Sequence, residues 1–271
     1  MSLGHLYDIP VGLTEHLGPF PPQTLCLPSG KVMPLVTDTY AGASLCSAVS
    51  KALADRIIGM GLADDVSVLP NFLPDSFGAE HINSPVQHGG FSFLSVGGPS
   101  HAKGTDVLLK ALAQIHSDVT LSVVGDSPDL PIFKQMAADL GLAGRVRWLG
   151  AVSRDEMPAH YLACDAFVLP SQGETFGIVF IEALAFGKPL ISTLCGGPED
   201  IVHASNGLLV PLNSVADLVL AMKEMIAHGD RYTPQALRSD FLSRYSASAV
   251  LARIEPWYQA VIRRGECKVV Q

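Results

Sequence analysis

From Phe91 onward the chain alternates short apolar runs with longer stretches in which apolar residues recur every three or four positions. Runs at 91–96, 119–124, 145–149, 165–169 and 189–193 read as buried strands, and the segments 105–116, 129–140, 153–163, 178–187 and 198–204 read as helices. Alternation at this pitch predicts βα units and a mostly parallel sheet with helices on both faces, a Rossmann-like α/β fold. Several ends carry their own signals. Leu108, Leu112 and Ile115 form a stripe on one helix face, Gly141 suits a helix stop, and Ser153-x-x-Glu156 has the form of a capping box. A further helix is expected from Ser214 to His228, and one or two more between Tyr232 and Arg264, broken near Pro234 and Pro256.

Upstream the pattern is sparser. Prolines 10, 19, 21, 22, 28 and 34 interrupt the first 34 residues, where no period is sustained and irregular structure is expected. A strand at 44–49, a helix at 51–59 and a strand at 66–69 then make one β-α-β unit. Gly78, Pro85, Gly89 and Gly90 suit a linker. The expected domains are therefore 1–73, a linker at 74–90, a Rossmann-like domain at 91–228, and C-terminal helices at 229–271.

Composition narrows the class without naming it. The chain has 271 residues, 48% of them hydrophobic, with a net charge of −8, which argues for a real core and against a nucleic-acid surface. The cysteines at 26, 46, 164, 195 and 267 have no metal-finger spacing, no apolar run reaches membrane-spanning length, and Asp8 and Glu15 stand where a signal peptide would carry lysine. A soluble cytoplasmic protein without a metal is expected. The histidines are scattered, His101 being the one close to a candidate site, and neither GxGxxG, a P-loop nor Asp-x-Asp occurs.

The chemistry concentrates in Leu169–Pro189, LPSQGETFGIVFIEALAFGKP, a strand, loop and helix carrying Glu174 in the loop and Glu182 on the helix. In an open α/β sheet, ligands bind beyond the carboxyl ends of the strands. Gly177 and Ile178 would offer backbone amides to a phosphate at a helix N-terminus, and Glu182 could accept two hydrogen bonds from a ribose diol. The spacing alone also fits one solvated loop glutamate and one helix glutamate paired with a lysine. The apolar company of Glu182, however, from Ile178 to Ala185, makes an unpaired charge there costly, so it needs a partner. A glycine-rich turn, Val96-Gly97-Gly98-Pro99-Ser100-His101-Ala102-Lys103-Gly104, can bracket a diphosphate with amides and one cation.

The string Pro170-Ser171, Glu174-x-Phe176-Gly177, Glu182-Ala183-x-Ala185-x-Gly187-x-Pro189 resembles the Glu-x7-Glu segment of retaining, nucleotide-sugar-dependent glycosyltransferases of the GT-B fold, the family-4 group. Residues 48–77 resemble the last unit of that family's N-terminal domain, and the resemblance spans roughly 44–262. It implies the C-terminal, donor-binding half of a GT-B fold with a partial N-terminal domain, and transfer of a hexose-type sugar from a UDP- or GDP-linked donor to an unidentified acceptor, such as a glycan or lipid-linked glycan.

On the same resemblance Glu174 holds sugar hydroxyls, and Ser171, Phe176, Gly177 and Ile178 line sugar and phosphate. Glu182 binds ribose, and Lys103 balances the diphosphate beside Gly97 and Gly98. Gly98 stands where the family usually has an arginine. Gly125 lines the donor site, and the backbone around Val152 meets the nucleobase. Gly196-Gly197-Pro198-Glu199 and Asn206-Gly207 shape the site floor.

No separate cofactor is implied. The isolated chain is expected to bind donor without efficient transfer, having no wall to close the crevice. Two readings stay open beside a transferase: a non-catalytic nucleotide-sugar-binding module or subunit of a split enzyme, and a nucleotide-sugar epimerase. A homo-oligomer, a partner N-terminal domain and a peripheral place at the inner membrane face are compatible with each.

Overall fold

The computed structural model describes residues 9–79 and 89–268. Two parallel sheets organise the chain. The first contains β1 (Gly12–Glu15), β2 (Leu45–Ala48) and β3 (Val66–Val68) in that order, with Gly12 opposite Leu45 and Cys46 opposite Val66. Helix α1 (Pro34–Ala41) precedes β2, and α2 (Lys51–Gly59) joins β2 to β3, its first turn closed by Ser50 Oγ accepting from Leu53 N at 3.2 Å.

The second sheet has six strands: β4 (Ser92–Val96), β5 (Thr120–Val124), β6 (Val146–Gly150), β7 (Ala166–Leu169), β8 (Leu190–Thr193) and β9 (Gly207–Val210). Their order is β6-β5-β4-β7-β8-β9, every pair parallel. The order reverses between β4 and β7, and a crevice opens at that switch point. The connecting helices are α3 (Thr105–Leu112), α4 (Leu130–Asp139), α5 (Met157–Leu162), α6 (Ile178–Ala185) and α7 (Pro198–Ile201), with α8 (Val215–His228) after β9. Strand β7 and most of α6 are fully buried, as their unbroken apolar sequence requires.

Several expectations are corrected. The first 34 residues are not wholly irregular: Gly12–Glu15 forms an edge strand, which needs only one neighbour, and β2 supplies it. Asn206-Gly207 is more than a turn, because Gly207 opens β9 against Leu190. A Cβ on Gly207 would lie 2.3 Å from Leu190 O, so the pairing itself demands glycine.

The capping box at Ser153 and Glu156 closes, with Ser153 Oγ donating to Glu156 Oε2 at 2.6 Å, but it closes a turn before α5 begins. Pro234 starts α9 (Pro234–Arg244) instead of breaking it, and α10 (Ala247–Lys268) runs straight through Pro256. The expected linker at 74–90 falls largely outside the described residues.

Helix α10 returns to the first sheet, where Trp257 and Val261 pack on Leu45 and Leu69. The contact with β1 is close: a Cβ on Gly12 would lie 2.6 Å from the Trp257 ring. The two chain crossings between the sheets are sewn together, since Leu73 N donates to Tyr245 O at 3.0 Å and Ala247 N to Leu73 O at 2.8 Å. Asp75 Oδ1 adds a bond from Ser248 N at 3.0 Å. Arg238, 8% exposed, closes the seam by donating to the carbonyls of Asp75, Phe77 and Ala185 at 2.6–2.8 Å. Among the described residues no helix is long and apolar enough to cross a membrane.

Candidate active site

The turns after β4, β5 and β6 lock together through backbone. Gly97 N donates to Val124 O at 2.8 Å and Gly125 N to Gly150 O at 2.7 Å. A Cβ on Gly125 would lie 2.6 Å from Gly98 N, and one on Gly98 only 2.4 Å from Asp126 O. Position 98, where the resemblance leads to an arginine, therefore has no room for a side chain in this backbone. Val152 follows this cluster half-buried, its side chain against the core.

Lys103 and Glu174, assigned separate tasks from the sequence, meet directly. Lys103 Nζ lies 2.7 Å from Glu174 Oε1, and Ser171 Oγ donates to the same oxygen at 2.8 Å. The Glu174 side chain is 13% exposed and that of Lys103 35% exposed, so the pair sits at the mouth of the crevice. The loop backbone is fixed independently: Glu174 N bonds Cys195 O, Gly197 N bonds Glu174 O, and Gln172 N bonds Ala102 O. Gly104 N-caps α3 at φ +66, its Cα pressed on Pro170 O, which holds the lysine turn against the glutamate loop.

Gly177, at φ +90, N-caps α6, and Phe180 N bonds its carbonyl. No side chain caps this helix start, and Ile178 beside it is exposed. The Phe176 side chain is not part of this surface. It is 2% exposed and packs edge-on against Tyr245, ring centres 5.9 Å apart, leaving only its backbone for a ligand.

Glu182 has a protein partner that the sequence did not single out. Tyr161 on α5 donates its hydroxyl to Glu182 Oε2 at 2.6 Å, with its ring stacked on Phe186 at 5.3 Å. Burial, and then the Glu182 charge, push the Tyr161 phenol well above its ordinary range, so it remains a donor. The one available signal was the need of Glu182 for a partner; the pairing joins two successive helices across β7, a contact that neither helix's own pattern announces.

His101 turns outward from the glycine-rich turn, 3.2 Å from Asp106 and edge-on to Phe133. His16, which the sequence reading passed over, is the histidine whose backbone reaches the site: its carbonyl accepts from Thr175 Oγ1 at 3.3 Å. Of the expected floor, Gly196 N bonds Glu199 Oε1 at 2.9 Å, whereas Asn206 is buried and holds Ile201 O and Asp240. Among the described residues no cluster of His, Cys, Asp or Glu could hold a metal ion.

The expectation of an unwalled crevice is overturned. A cleft of about 540 Å³ lies between Lys103, Gln172–Thr175 and Cys195–Gly196 on one side and Gly18–Phe20, Ala52, Leu53 and Arg56 on the other. The three-stranded sheet and its loops supply that second side.

The family model for glycosyl transferases group 1 matches residues 78–238, which hold this whole constellation apart from the facing wall. The chain belongs to this family.

Among curated relatives of this group 1 chain, a "GDP-mannose-dependent alpha-(1-6)-phosphatidylinositol monomannoside mannosyltransferase" of Mycobacterium tuberculosis is 38% identical over 140 residues, covering 48% of the chain and 36% of the relative. The "D-inositol 3-phosphate glycosyltransferase 1" of Catenulispora acidiphila is 28% identical over 247 residues, covering 85% and 58%. The chain thus spans roughly a third to three-fifths of these relatives. Anabaena Alr3699/HepE, solved in complex with UDP, shares the fold with a TM-score of 0.82 at 24% identity, over 95% of this chain and 74% of that one. The mixed α/β architecture with parallel sheets flanked by helices is therefore that of GT-B glycosyltransferases.

Proposed function

We propose that the chain binds a nucleoside diphosphate sugar, UDP- or GDP-linked, and passes a hexose-type sugar to an acceptor hydroxyl with retention of configuration. The observation that carries this reading is the Lys103–Glu174–Ser171 cluster beside the open first turn of α6. Lys103 uses one of its three N–H donors on Glu174 and keeps two for the diphosphate. Glu174 Oε2 remains for sugar hydroxyls. Glu182 keeps Oε1 for a ribose hydroxyl while Tyr161 fixes Oε2.

As the bond from the sugar to the diphosphate breaks, negative charge grows on the leaving phosphate. Lys103 and the amides of Gly177 and Ile178 face that charge without needing to reorganise. The acceptor oxygen forms its new bond on the face the leaving group vacates, and its proton goes to the departing phosphate. The protein contributes position and charge.

Calorimetric titration with UDP, GDP, ADP and their sugars tests the reading, and absence of any nucleotide preference would overturn it. Glu182→Ala is expected to weaken nucleoside diphosphate binding by roughly 10-fold to 100-fold, the worth of one or two charge-assisted hydrogen bonds. An affinity unchanged by this substitution would remove Glu182 from the site.

A further inference from the structure

We infer that Asp200 is a further positioning residue of the reaction: from the donor side it caps helix α2 on the opposite wall and so latches the cleft, and Tyr245 ties this latch to the loop that leads into α6. Its part in transfer rests on the glycosyltransferase reading; the contact between the walls does not.

Helix α2 opens on Lys51, and Ser50 Oγ satisfies the third amide of its first turn, Leu53 N, at 3.2 Å. The first amide, Lys51 N, turns instead to Asp200 Oδ2 at 2.5 Å, 149 residues along the chain and on the other side of the cleft. The carboxylate serves the backbone, because the Lys51 ammonium is taken by Asp55 at 2.5 Å. In that place it accepts from an otherwise orphaned donor and meets the positive end of the helix dipole. The walls approach at two more points: a Cβ on Gly196 would lie 3.5 Å from Ala52 Cβ, and Thr175 Oγ1 donates to His16 O at 3.3 Å. Of the three contacts, that of Asp200 is the one that carries charge. It is also open to solvent, so water can take over both partners when it breaks. The buried Arg238 seam has no such substitute, which makes the seam permanent and the Asp200 contact reversible.

Asp200 is itself held from the seam. Its carbonyl accepts from the Tyr245 hydroxyl at 3.0 Å and from Arg244 Nη2. The Tyr245 carbonyl accepts from Leu73 N at 3.0 Å, and burial pushes the Tyr245 phenol above its ordinary range, so the hydroxyl remains a donor. The same ring packs edge-on against Phe176, centres 5.9 Å apart, and the Phe176 backbone runs into Gly177 at the start of α6. A Cβ on Gly197 would lie 2.4 Å from Phe176 Cα, so the segment that carries Asp200 is pressed on that backbone as well. Seam, nucleotide-sugar loop and latch thus share one side chain. A ligand that steadies the Phe176–Gly177 backbone favours the arrangement in which Asp200 meets Lys51.

Amide hydrogen exchange of the full chain without ligand, followed by NMR, reads the latch directly. Asp200→Ala is expected to speed exchange at Lys51 by about 10-fold, the worth of a lost helix cap, with Asp200→Asn intermediate and Leu53, capped from its own wall by Ser50, unchanged. Unaltered exchange at Lys51 overturns the latch, and so does equal acceleration at Lys51 and Leu53, which would mean that α2 merely frays. With saturating UDP or GDP, whichever binds more tightly, Lys51 exchange in the wild type should slow by about 5-fold, and by linkage Asp200→Ala should weaken that nucleotide by a similar factor. A nucleotide that leaves Lys51 exchange as it was, or that binds Asp200→Ala as tightly as wild type, overturns the coupling through Tyr245. Failure of the wild type to bind either nucleotide would sink the transferase reading, and the ligand-free comparison at Lys51 would still decide the latch.

Discussion

Arg238→Ala is expected to lower the thermal midpoint by on the order of 10 °C, a loss of about 3–5 kcal/mol for a chain of this size. Arg238 is nearly buried, and its guanidinium satisfies three main-chain carbonyls, those of Asp75, Phe77 and Ala185. Truncation strands all three, at about 1–3 kcal/mol for each buried group that water cannot reach. Burial lowers the Arg238 pKa, yet no other donor replaces it. Arg238→Met, which keeps the apolar stem over Phe241, should recover only the packing part of the loss. Calorimetric or circular-dichroism melting decides the matter, and a midpoint within 2 °C of wild type for Arg238→Ala would show that water already reaches the seam.

Gly104→Ala is expected to abolish measurable nucleotide binding, a loss of at least about 100-fold, while leaving the far side of the sheet intact. The new Cβ would lie 1.9 Å from Pro170 O and 2.8 Å from Pro170 C, closer than atoms approach, in a left-handed conformation at φ +66. Relief requires the turn after β4 to move away from the end of β7. Lys103 rides on the first and Ser171–Glu174 on the second, so the 2.7 Å contact between Lys103 and Glu174 breaks with it. Gly141→Ala separates the two causes, because Gly141 has φ +72 but nothing within 4 Å of its Cβ position. That variant should show only the conformational cost, about 1–2 kcal/mol, and normal nucleotide binding. Normal binding by Gly104→Ala would mean that the two turns are not rigidly coupled.

Five strands of the second sheet were legible because each is a short apolar run, β7 and β8 being buried throughout, and because the helices between them carry apolar stripes. What escaped was what tertiary contact alone decides. Strand β9 is four residues opened by a glycine, and nothing in Gly207–Val210 announces the neighbour that makes it a strand. Pro256 deprives one carbonyl of its helical partner, yet Trp257 and Val261 bury themselves on Leu45 and Leu69, which outweighs the missing bond. At the site, Glu174, Lys103 and Glu182 stood out because charged residues in glycine-rich or apolar settings require a reason. Tyr161 and Arg56 did not, since an aromatic on an amphipathic helix and an arginine in a last turn are ordinary until the fold shows what faces them.

The stitch of Leu73 to Tyr245 and Ala247 bears on how the molecule moves. Two walls joined by one strand of chain could swing and twist with several degrees of freedom. Here both crossings pass side by side, with Arg238 and Asp75 sewn into the same seam. That geometry leaves one soft axis, like the spine of a book, so the width of the cleft becomes a single coordinate. Probes at Arg56 and Gln172, on opposite sides of the cleft, should therefore report one distance distribution that shifts as a whole on nucleotide binding. Independent changes along a second pair, Ala52 to Ala102, would require more than one axis.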